Sequence, residues 1–298
     1  MPSCPSRACA LPVYDPLSRR VVRAGFYRRR ALPTKIQRYF CLNCRHGFSS
    51  QTLDSTYYQK RPDVNALARE LFASSVSQRR TARILKVSLR TAVRKFRYIA
   101  RQSAIQNEQD REARLNTPVS SLQFDDLVTS IHTKCKPAAL TLAVESGTRR
   151  ILGFEVSDLP ARHPLREISL RKYGQRKDER PLGIHRLFRR LAPSLARDVQ
   201  IRSDCDPEYP GHVRKHFPGA QYERFLSRRG RTSGFGELKR GGYDPLYSLN
   251  HTCAMFRANL NRLVRRTWCT SKTKLGLILH AEIYVSYHNR ELLPRSAL

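Results

Sequence analysis

Four cysteines near the start of the chain have the spacing of a metal site. Cys4 and Cys9 form a C-x4-C pair, and Cys41 and Cys44 form a C-x2-C pair. The residues between the pairs predict two short strands joined by a basic turn, so the two pairs can meet. Four thiolates suit a tetrahedral Zn²⁺, which would supply much of the stability of so small a fold. His46 is an alternative ligand that is less favoured than Cys4.

Two aspartates in the second half have the positions of paired metal-binding carboxylates. Asp125 lies in the predicted strand SLQFDDLVTSI, and Asp204 ends the predicted strand VQIRSDCDP. Carboxylates placed together can hold Mg²⁺ or Mn²⁺, which stabilise phosphoryl transfer. Their neighbours Asp126 and Asp206 point the other way in an extended chain and are poorer candidates. Either aspartate alone would be explained as a surface residue, but both match the strand order that follows.

The elements that must position these carboxylates alternate in a recognisable order. Strands are predicted at 121–131, 138–146 and 149–157, then a helix at 184–196, a strand at 199–207, a short helix at 212–217, a strand at 220–227 and a helix at 249–268. This order predicts an α/β (α+β) domain of the ribonuclease-H-like class. Such folds carry catalytic carboxylates on the first strand, near the end of the fourth, and on a late helix.

The residues from Pro62 onward predict a helix-turn-helix. A turn at 86–88 separates two helices, and Ser88 is placed as the N-cap of the second. The face expected in the core holds Ala82, Ile84, Leu85, Val93 and Phe96. The face expected in a DNA groove holds Arg90, Thr91, Arg94, Lys95 and Arg97. A plain three-helix bundle is the alternative, and residues 102–118 are predicted to be a helix end followed by a linker.

The charge of the chain predicts a polyanionic partner. Its 56 basic and 24 acidic residues give a net charge of +32, and both halves are basic. Arg28, Arg29 and Arg30 at the tip of the ribbon are expected to grip double-stranded DNA. No run of about 18 apolar residues is present, so no membrane span is expected. We expect a cytoplasmic or nucleoid-associated protein whose cysteines are reduced or bound to metal.

These patterns divide the chain into three predicted domains. Residues 1–52 form the zinc ribbon, residues 53–117 the helix-turn-helix domain and linker, and residues 118–298 the ribonuclease-H-like domain. An RNA-binding protein of the ribosomal type would fit the charge, but it would explain neither the paired aspartates nor the order of ribbon and helix-turn-helix.

In this arrangement the chain resembles the DDE transposases of short bacterial insertion sequences, in particular the insertion-sequence-one group. The matching segments are VVRAG…QRYFCLNCRHGF, QFDDLV, RSD at Asp204 and RANLNRLVRRTWCTSK, and the resemblance extends from Cys4 to about Asn289. It implies a zinc ribbon, a helix-turn-helix and a catalytic domain that uses Mg²⁺ or Mn²⁺. It also implies a homo-oligomer acting on element ends and on target DNA.

The resemblance implies a third carboxylate that this sequence lacks. In that family the last catalytic helix begins with a glutamate, followed seven residues later by a basic residue. The basic position falls on Arg257, which matches, but the glutamate position falls on Asn250. Glu237 is the preferred substitute acid and Glu223 the weaker one, while Asn250 could also be a helix N-cap. Two functions therefore stay open: an active transposase that cleaves and joins DNA strands, and an inactive DNA-binding descendant or repressor.

Overall fold

The structure, a computed structural model, describes residues 1–9, 20–29, 35–226, 244–263 and 270–293. The chain divides into two compact units, Met1–Leu67 and Ala68–Leu298. The boundary between them lies inside the predicted 53–117 domain. Glu237 and Arg30 fall outside the described residues, as does residue 268, the predicted end of the last catalytic helix.

The first unit is built on a small antiparallel sheet. Strands β1 (Val21–Tyr27) and β2 (Ile36–Cys41) are the two that the sequence predicts, and a third short strand, β3 (Gly47–Ser49), pairs with β2. Within the described residues, the buried apolar core of this sheet consists of the cluster Val21, Cys41 and Phe48, together with Ile36. So small an apolar core contributes little burial free energy, so the unit needs another source of stability.

Three helices occupy the segment in which the sequence predicts a helix-turn-helix. Helices α1 (Asn65–Ala73), α2 (Gln78–Ile84) and α3 (Leu89–Ala113) follow one another. Ser88 is the N-cap of α3, since its Oγ accepts a hydrogen bond from the N–H of Thr91 at 3.1 Å. The prediction for Ile84 is wrong, because this side chain is 53% exposed while Ala82 and Leu85 are buried.

Helix α3 is longer than the sequence predicts. It runs unbroken for 25 residues to Ala113, so the linker predicted within residues 102–118 is wrong over most of its length. The second half of α3 packs against α8 (Lys274–Tyr287). Asn107 Nδ2 donates to Glu282 Oε2 at 2.7 Å, and Ser286 Oγ donates to Gln106 Oε1 at 2.9 Å. These contacts keep the polar segment helical, which its composition alone does not predict.

A five-stranded mixed sheet forms the centre of the second unit. Its strands are β4 (Val119–Ser130), β5 (Pro137–Glu145), β6 (Ile151–Asp158), β7 (Leu195–Asp204) and β8 (Gln221–Phe225), in the order β6-β5-β4-β7-β8. The first three strands are antiparallel to one another, and β7 and β8 run parallel to β4. The predicted meander and the predicted alternation after it are confirmed.

Helices cover both faces of this sheet. The remaining helices are α4 (Arg166–Tyr173), α5 (Arg180–Leu191), α6 (Tyr209–His216) and α7 (Tyr247–Asn259). Leu122 and Phe124 of β4 pack in the core formed with α5 and α6, whereas Leu127 of β4 packs in the core formed with α7 and α8. Side chains of β4 therefore alternate between two helical layers, and this alternation assigns Asp125 and Asp126 to opposite faces.

Helix α7 differs at both ends from the predicted helix 249–268. It begins at Tyr247, so Asn250 lies within its first turn, and the N-cap interpretation of Asn250 is wrong. It ends at Asn259, because Leu260 takes an extended conformation with φ −122° and ψ 95°. Among the residues that the structure describes, no helix combines the length and apolarity required to cross a bilayer.

Candidate functional site

The structure brings Asp125 and Asp204 side by side on adjacent parallel strands. Gln123 of β4 pairs with Arg202 of β7, and each aspartate lies two residues further along its strand. Burial of the Asp125 carboxyl, together with repulsion from the Asp204 carboxylate, raises the pKa of Asp125 to about 7. A cation bound beside Asp125 would relieve this repulsion, so the position suits a metal ligand.

Hydrogen bonds fix one oxygen of each of these carboxylates. Asp125 Oδ1 accepts from the N–H of Asp126 at 2.7 Å and from the Tyr209 hydroxyl at 3.2 Å. Asp204 Oδ1 accepts from the N–H of Asp206 at 3.0 Å. These hydrogen bonds orient both side chains in the absence of a metal ion. In each carboxylate the oxygen that accepts them is Oδ1. The donor set therefore fits a divalent cation that binds carboxylate oxygen, such as Mg²⁺ or Mn²⁺.

Gln123 ties helix α7 to this part of β4. Its Nε2 donates to the carbonyl of Pro245 at 3.0 Å, and its Oε1 accepts from the N–H of Leu249 at 3.0 Å. The next turn of α7 carries Cys253, whose pKa is raised to about 12 by burial and by the charge of Asp125. Helix α7 therefore packs next to Asp125.

Arg257, the predicted basic position, lies one turn after Cys253. Its charge partly offsets the rise in the pKa of Cys253, so Asp125 and Arg257 both act on that thiol. Its Nε is buried and forms no hydrogen bond within the part of the chain that the structure describes. Arg257 thus provides a cationic group on the α7 side of the aspartate pair.

Asn250, the position of the missing carboxylate, is exposed on α7. Its Nδ2 donates to Asp244 Oδ2 at 2.9 Å, while Asp244 Oδ1 accepts from the N–H of Leu246 at 2.9 Å. Asp244 was not predicted, although an aspartate before a proline and a helix is a common N-terminal signal. The weaker substitute Glu223 lies on the edge strand β8 and is paired with Arg202 at 3.0 Å.

The opposite face of the sheet confirms that Asp126 points away from Asp125. Thr141 Oγ1 donates to Asp126 Oδ1 at 2.5 Å, and Arg180 Nη1 lies 3.6 Å from Asp126 Oδ2. Burial raises the pKa of Asp126, and these two partners oppose the rise. Arg180 and Tyr209 were not predicted, because the segments that carry them show no motif.

The four predicted cysteines converge in the first unit. The Sγ atoms of Cys4 and Cys44 lie 3.6 Å apart, those of Cys9 and Cys41 lie 3.8 Å apart, and all four lie within 4.8 Å of one another. Zn–S bonds of about 2.3 Å in a tetrahedron require sulfur atoms about 3.8 Å apart, so the cluster fits zinc.

Two further features of this cluster agree with metal binding. The N–H groups of Cys44 and Asn43 lower the pKa of the Cys41 thiol to about 7, although burial opposes them, whereas burial raises the pKa of the Cys4 thiol to about 12. A thiol that ionises near neutral pH is a good metal ligand. His46, the alternative ligand, instead stacks on Phe48 with 6.4 Å between ring centroids.

Some of the predicted DNA-binding side chains are exposed, whereas others contact neighbouring residues of the protein. Arg28 is exposed, but Arg29 folds onto its own unit, where Nη1 donates to Gln51 at 3.3 Å and Nη2 to the carbonyl of Gln59 at 2.5 Å. On α3, Thr91 is half-buried, and its Oγ1 lies 2.9 Å from Ser88 Oγ. The prediction for Lys95 is wrong, because this side chain is only 5% exposed and lies on the packed side of α3.

One face of α3 carries a stripe of exposed arginines. Arg90, Arg94, Arg97 and Arg101 recur at intervals of four, three and four residues, and all four are exposed. This spacing keeps them on one side of the helix over roughly 16 Å. We call these four residues the arginine stripe. Arg101 was not among the predicted residues, because it lies immediately before the segment 102–118 that was predicted to be a helix end and a linker.

Comparison with known proteins identifies no family. No protein-family model matches the chain, and no match is found among curated proteins. The function must therefore be argued from the residues and geometry of the site.

Proposed function

We propose that this chain is a DNA transposase that binds element ends and cleaves and joins DNA strands with the help of divalent metal ions. The observation that carries the proposal is the pair of partly buried aspartates, Asp125 and Asp204, on adjacent strands. Two further observations support it. The basic helix α3 is exposed along its arginine stripe, and the cysteine cluster fits zinc.

The strand order supports a ribonuclease-H-like fold for the second unit. Numbered within the sheet, the order β6-β5-β4-β7-β8 is 3-2-1-4-5, with the first three strands antiparallel and the last two parallel to the first. The aspartates lie on strands one and four, and α7 packs beside them. This arrangement agrees with the catalytic domain implied by the resemblance to insertion-sequence-one transposases.

The proposed roles follow from the contacts of each residue. Asp125 and Asp204 would hold Mg²⁺ or Mn²⁺, which would stabilise the charge that develops on the attacking and leaving oxygens of a phosphodiester. Tyr209 and the backbone N–H groups of Asp126 and Asp206 keep the two carboxylates oriented. The arginine stripe binds DNA phosphates, and the zinc ribbon adds a second basic surface. By analogy with the family, we propose that the chain acts as a homo-oligomer on paired ends in the bacterial cytoplasm.

The proposal is tested with labelled DNA duplexes that carry the flanks of the gene. In Mg²⁺ or Mn²⁺ the full chain should produce strands with 3′-hydroxyl ends and should then join them to a target duplex. EDTA should abolish both products. Binding without cleavage in either metal would contradict the enzymatic proposal.

One observation favours a second candidate, a DNA-binding protein or repressor that has lost catalysis. Asn250 brings no charge to the glutamate position, and its amide is held by Asp244. Two carboxylates neutralise less of the positive charge of bound metal than three carboxylates would. If the native chain binds but does not cleave, Asn250→Glu should restore cleavage. Cleavage by the native chain would exclude this candidate.

Replacing arginines of the stripe should weaken DNA binding in a salt-dependent way. In the double variant Arg94→Gln and Arg97→Gln, the slope of log K against log salt should fall by about 2, since each lost phosphate contact lowers it by about 1. Fluorescence anisotropy at several salt concentrations measures the slope. Arg186→Gln is the control, because Arg186 lies on α5 and is paired with Glu155 at 2.9 Å. An unchanged slope in the double variant would contradict the role of the stripe.

A further inference from the structure

Arg180, the first residue of α5, lies among three carboxylates on the sheet face opposite the Asp125 site. Its Nη1 donates to Asp206 Oδ2 at 2.9 Å and lies 3.6 Å from Asp126 Oδ2. Its Nη2 lies 2.6 Å from Glu208 Oε2. The Arg180 side chain is 13% exposed and that of Asp126 is 7% exposed, so water screens these charges weakly.

The partners of Arg180 are the residues whose backbone orients the proposed metal ligands. The N–H of Asp126 binds Asp125 Oδ1, and the N–H of Asp206 binds Asp204 Oδ1. One guanidinium therefore hydrogen-bonds the side chain of Asp206 and forms a longer ion pair with that of Asp126. Asp206 lies in the turn between β7 and α6, where no strand pairing fixes its backbone. Within the turn, Asp206 Oδ1 accepts from the N–H of Glu208 at 2.9 Å and its carbonyl accepts from the N–H of Tyr209 at 3.4 Å, and the contact with Arg180 joins this turn to α5.

We propose that Arg180 is a positioning residue that orients Asp204, and to a smaller extent Asp125, by holding Asp206 and Asp126 from the opposite face of the sheet. The importance of this positioning for catalysis rests on the proposed function. The positioning itself can be measured without metal or DNA. The groups that surround a metal ligand commonly fix its orientation in this way.

Charge balance explains why this position requires an arginine. Burial disfavours the charged guanidinium, but Glu208, Asp206 and Asp126 outweigh that effect, and the pKa of Arg180 lies above its usual value. The planar guanidinium presents several N–H groups in different directions and can engage three carboxylates at once. A lysine would keep the charge, but it would offer a single nitrogen to the same partners.

The positioning is tested by NMR of the full chain labelled with ¹⁵N-aspartate, without divalent ions at the sheet site. In Arg180→Gln the Asp206 amide proton should move upfield and exchange faster with solvent, and the Asp126 amide should change less because β4 still holds it. Arg180→Lys should give an intermediate shift. Glu208→Gln removes only one exposed partner and provides a milder variant should Arg180→Gln fail to fold. Arg186→Gln, on the same helix, should leave both amides unchanged.

Metal affinity separates this inference from the proposed function. Arg180→Gln should weaken Mn²⁺ binding at the aspartate pair by about 10- to 100-fold, while its DNA affinity stays near that of the native chain. Native amide resonances and native Mn²⁺ affinity in the folded Arg180 variants would overturn the positioning role. A native chain that binds no Mn²⁺ at Asp125 and Asp204, but whose Asp206 amide still responds to Arg180→Gln, would contradict the proposed function and leave the positioning intact.

Discussion

Asp125→Asn is expected to reduce metal-dependent strand cleavage by about three orders of magnitude or more, the scale on which one electrostatic group at a reacting centre acts. The substitution keeps the size of the side chain and removes the charge that would hold the metal. Cleavage of labelled duplexes in Mg²⁺ and in Mn²⁺ measures the loss. Asp198→Asn is the matched control, because Asp198 is an exposed residue on the same strand as Asp204.

The same substitution should not weaken the fold. The pKa of Asp125 is about 7 in the folded chain, above its unfolded value of about 3.9, so ionisation of Asp125 costs stability as the pH rises through this interval. Asparagine removes that cost, and above pH 7 Asp125→Asn should melt at the same temperature as the native chain or higher. Full cleavage activity in Asp125→Asn would contradict the assignment of Asp125 as a metal ligand. A lower melting temperature than that of the native chain above pH 7 would contradict the stability prediction.

Removal of zinc is expected to unfold the first unit and leave the second unit folded. The described strands of the ribbon sheet bury few apolar residues, Val21, Ile36, Cys41 and Phe48, and so small a core is not expected to stabilise the sheet without metal. Structural zinc in small domains contributes roughly 10–16 kcal/mol of apparent binding free energy. Cys41→Ser, or a strong chelator, should therefore abolish the folded-state NMR signals of β1 to β3 and lower the affinity for DNA.

Metal analysis of the purified chain provides the measurement for this prediction. The native chain should hold one zinc ion at the cysteine cluster, and Cys41→Ser should hold much less. Cys205→Ser is the control, because Cys205 lies outside the cluster and should leave both the zinc content and the ribbon signals unchanged. A ribbon that stays folded in the chelated chain would contradict a structural role for the metal.

Much of the sheet could be predicted from the sequence, because its strands have a clear pattern. The alternation around Asp125 assigned the two neighbouring aspartates to opposite faces, and the structure confirms that assignment. The length of α3 could not be predicted, since its polar second half is helical through contacts with α8, more than 150 residues away in the chain. The buried position of Lys95 was missed for a similar reason, because a cationic residue on a basic helix gives no sign of which face packs.

The sequence predicted the acidic residues of the candidate site but not the groups that orient them. Asp125 and Asp204 follow from strand order, whereas Arg180 enters from a basic segment whose path the sequence does not define. Asn250 was placed by counting back from a motif, and its contact with Asp244 depends on where α7 begins. Contacts between distant segments therefore account for most of what the sequence missed.

The most direct test of the central claim is to measure Mn²⁺ binding to the zinc-loaded chain by electron paramagnetic resonance. We predict that the native chain binds Mn²⁺, that the double variant Asp125→Asn and Asp204→Asn loses this binding, and that Asp198→Asn keeps it. Equal Mn²⁺ binding by the native chain and the double variant would contradict the proposal that these two aspartates form the metal site.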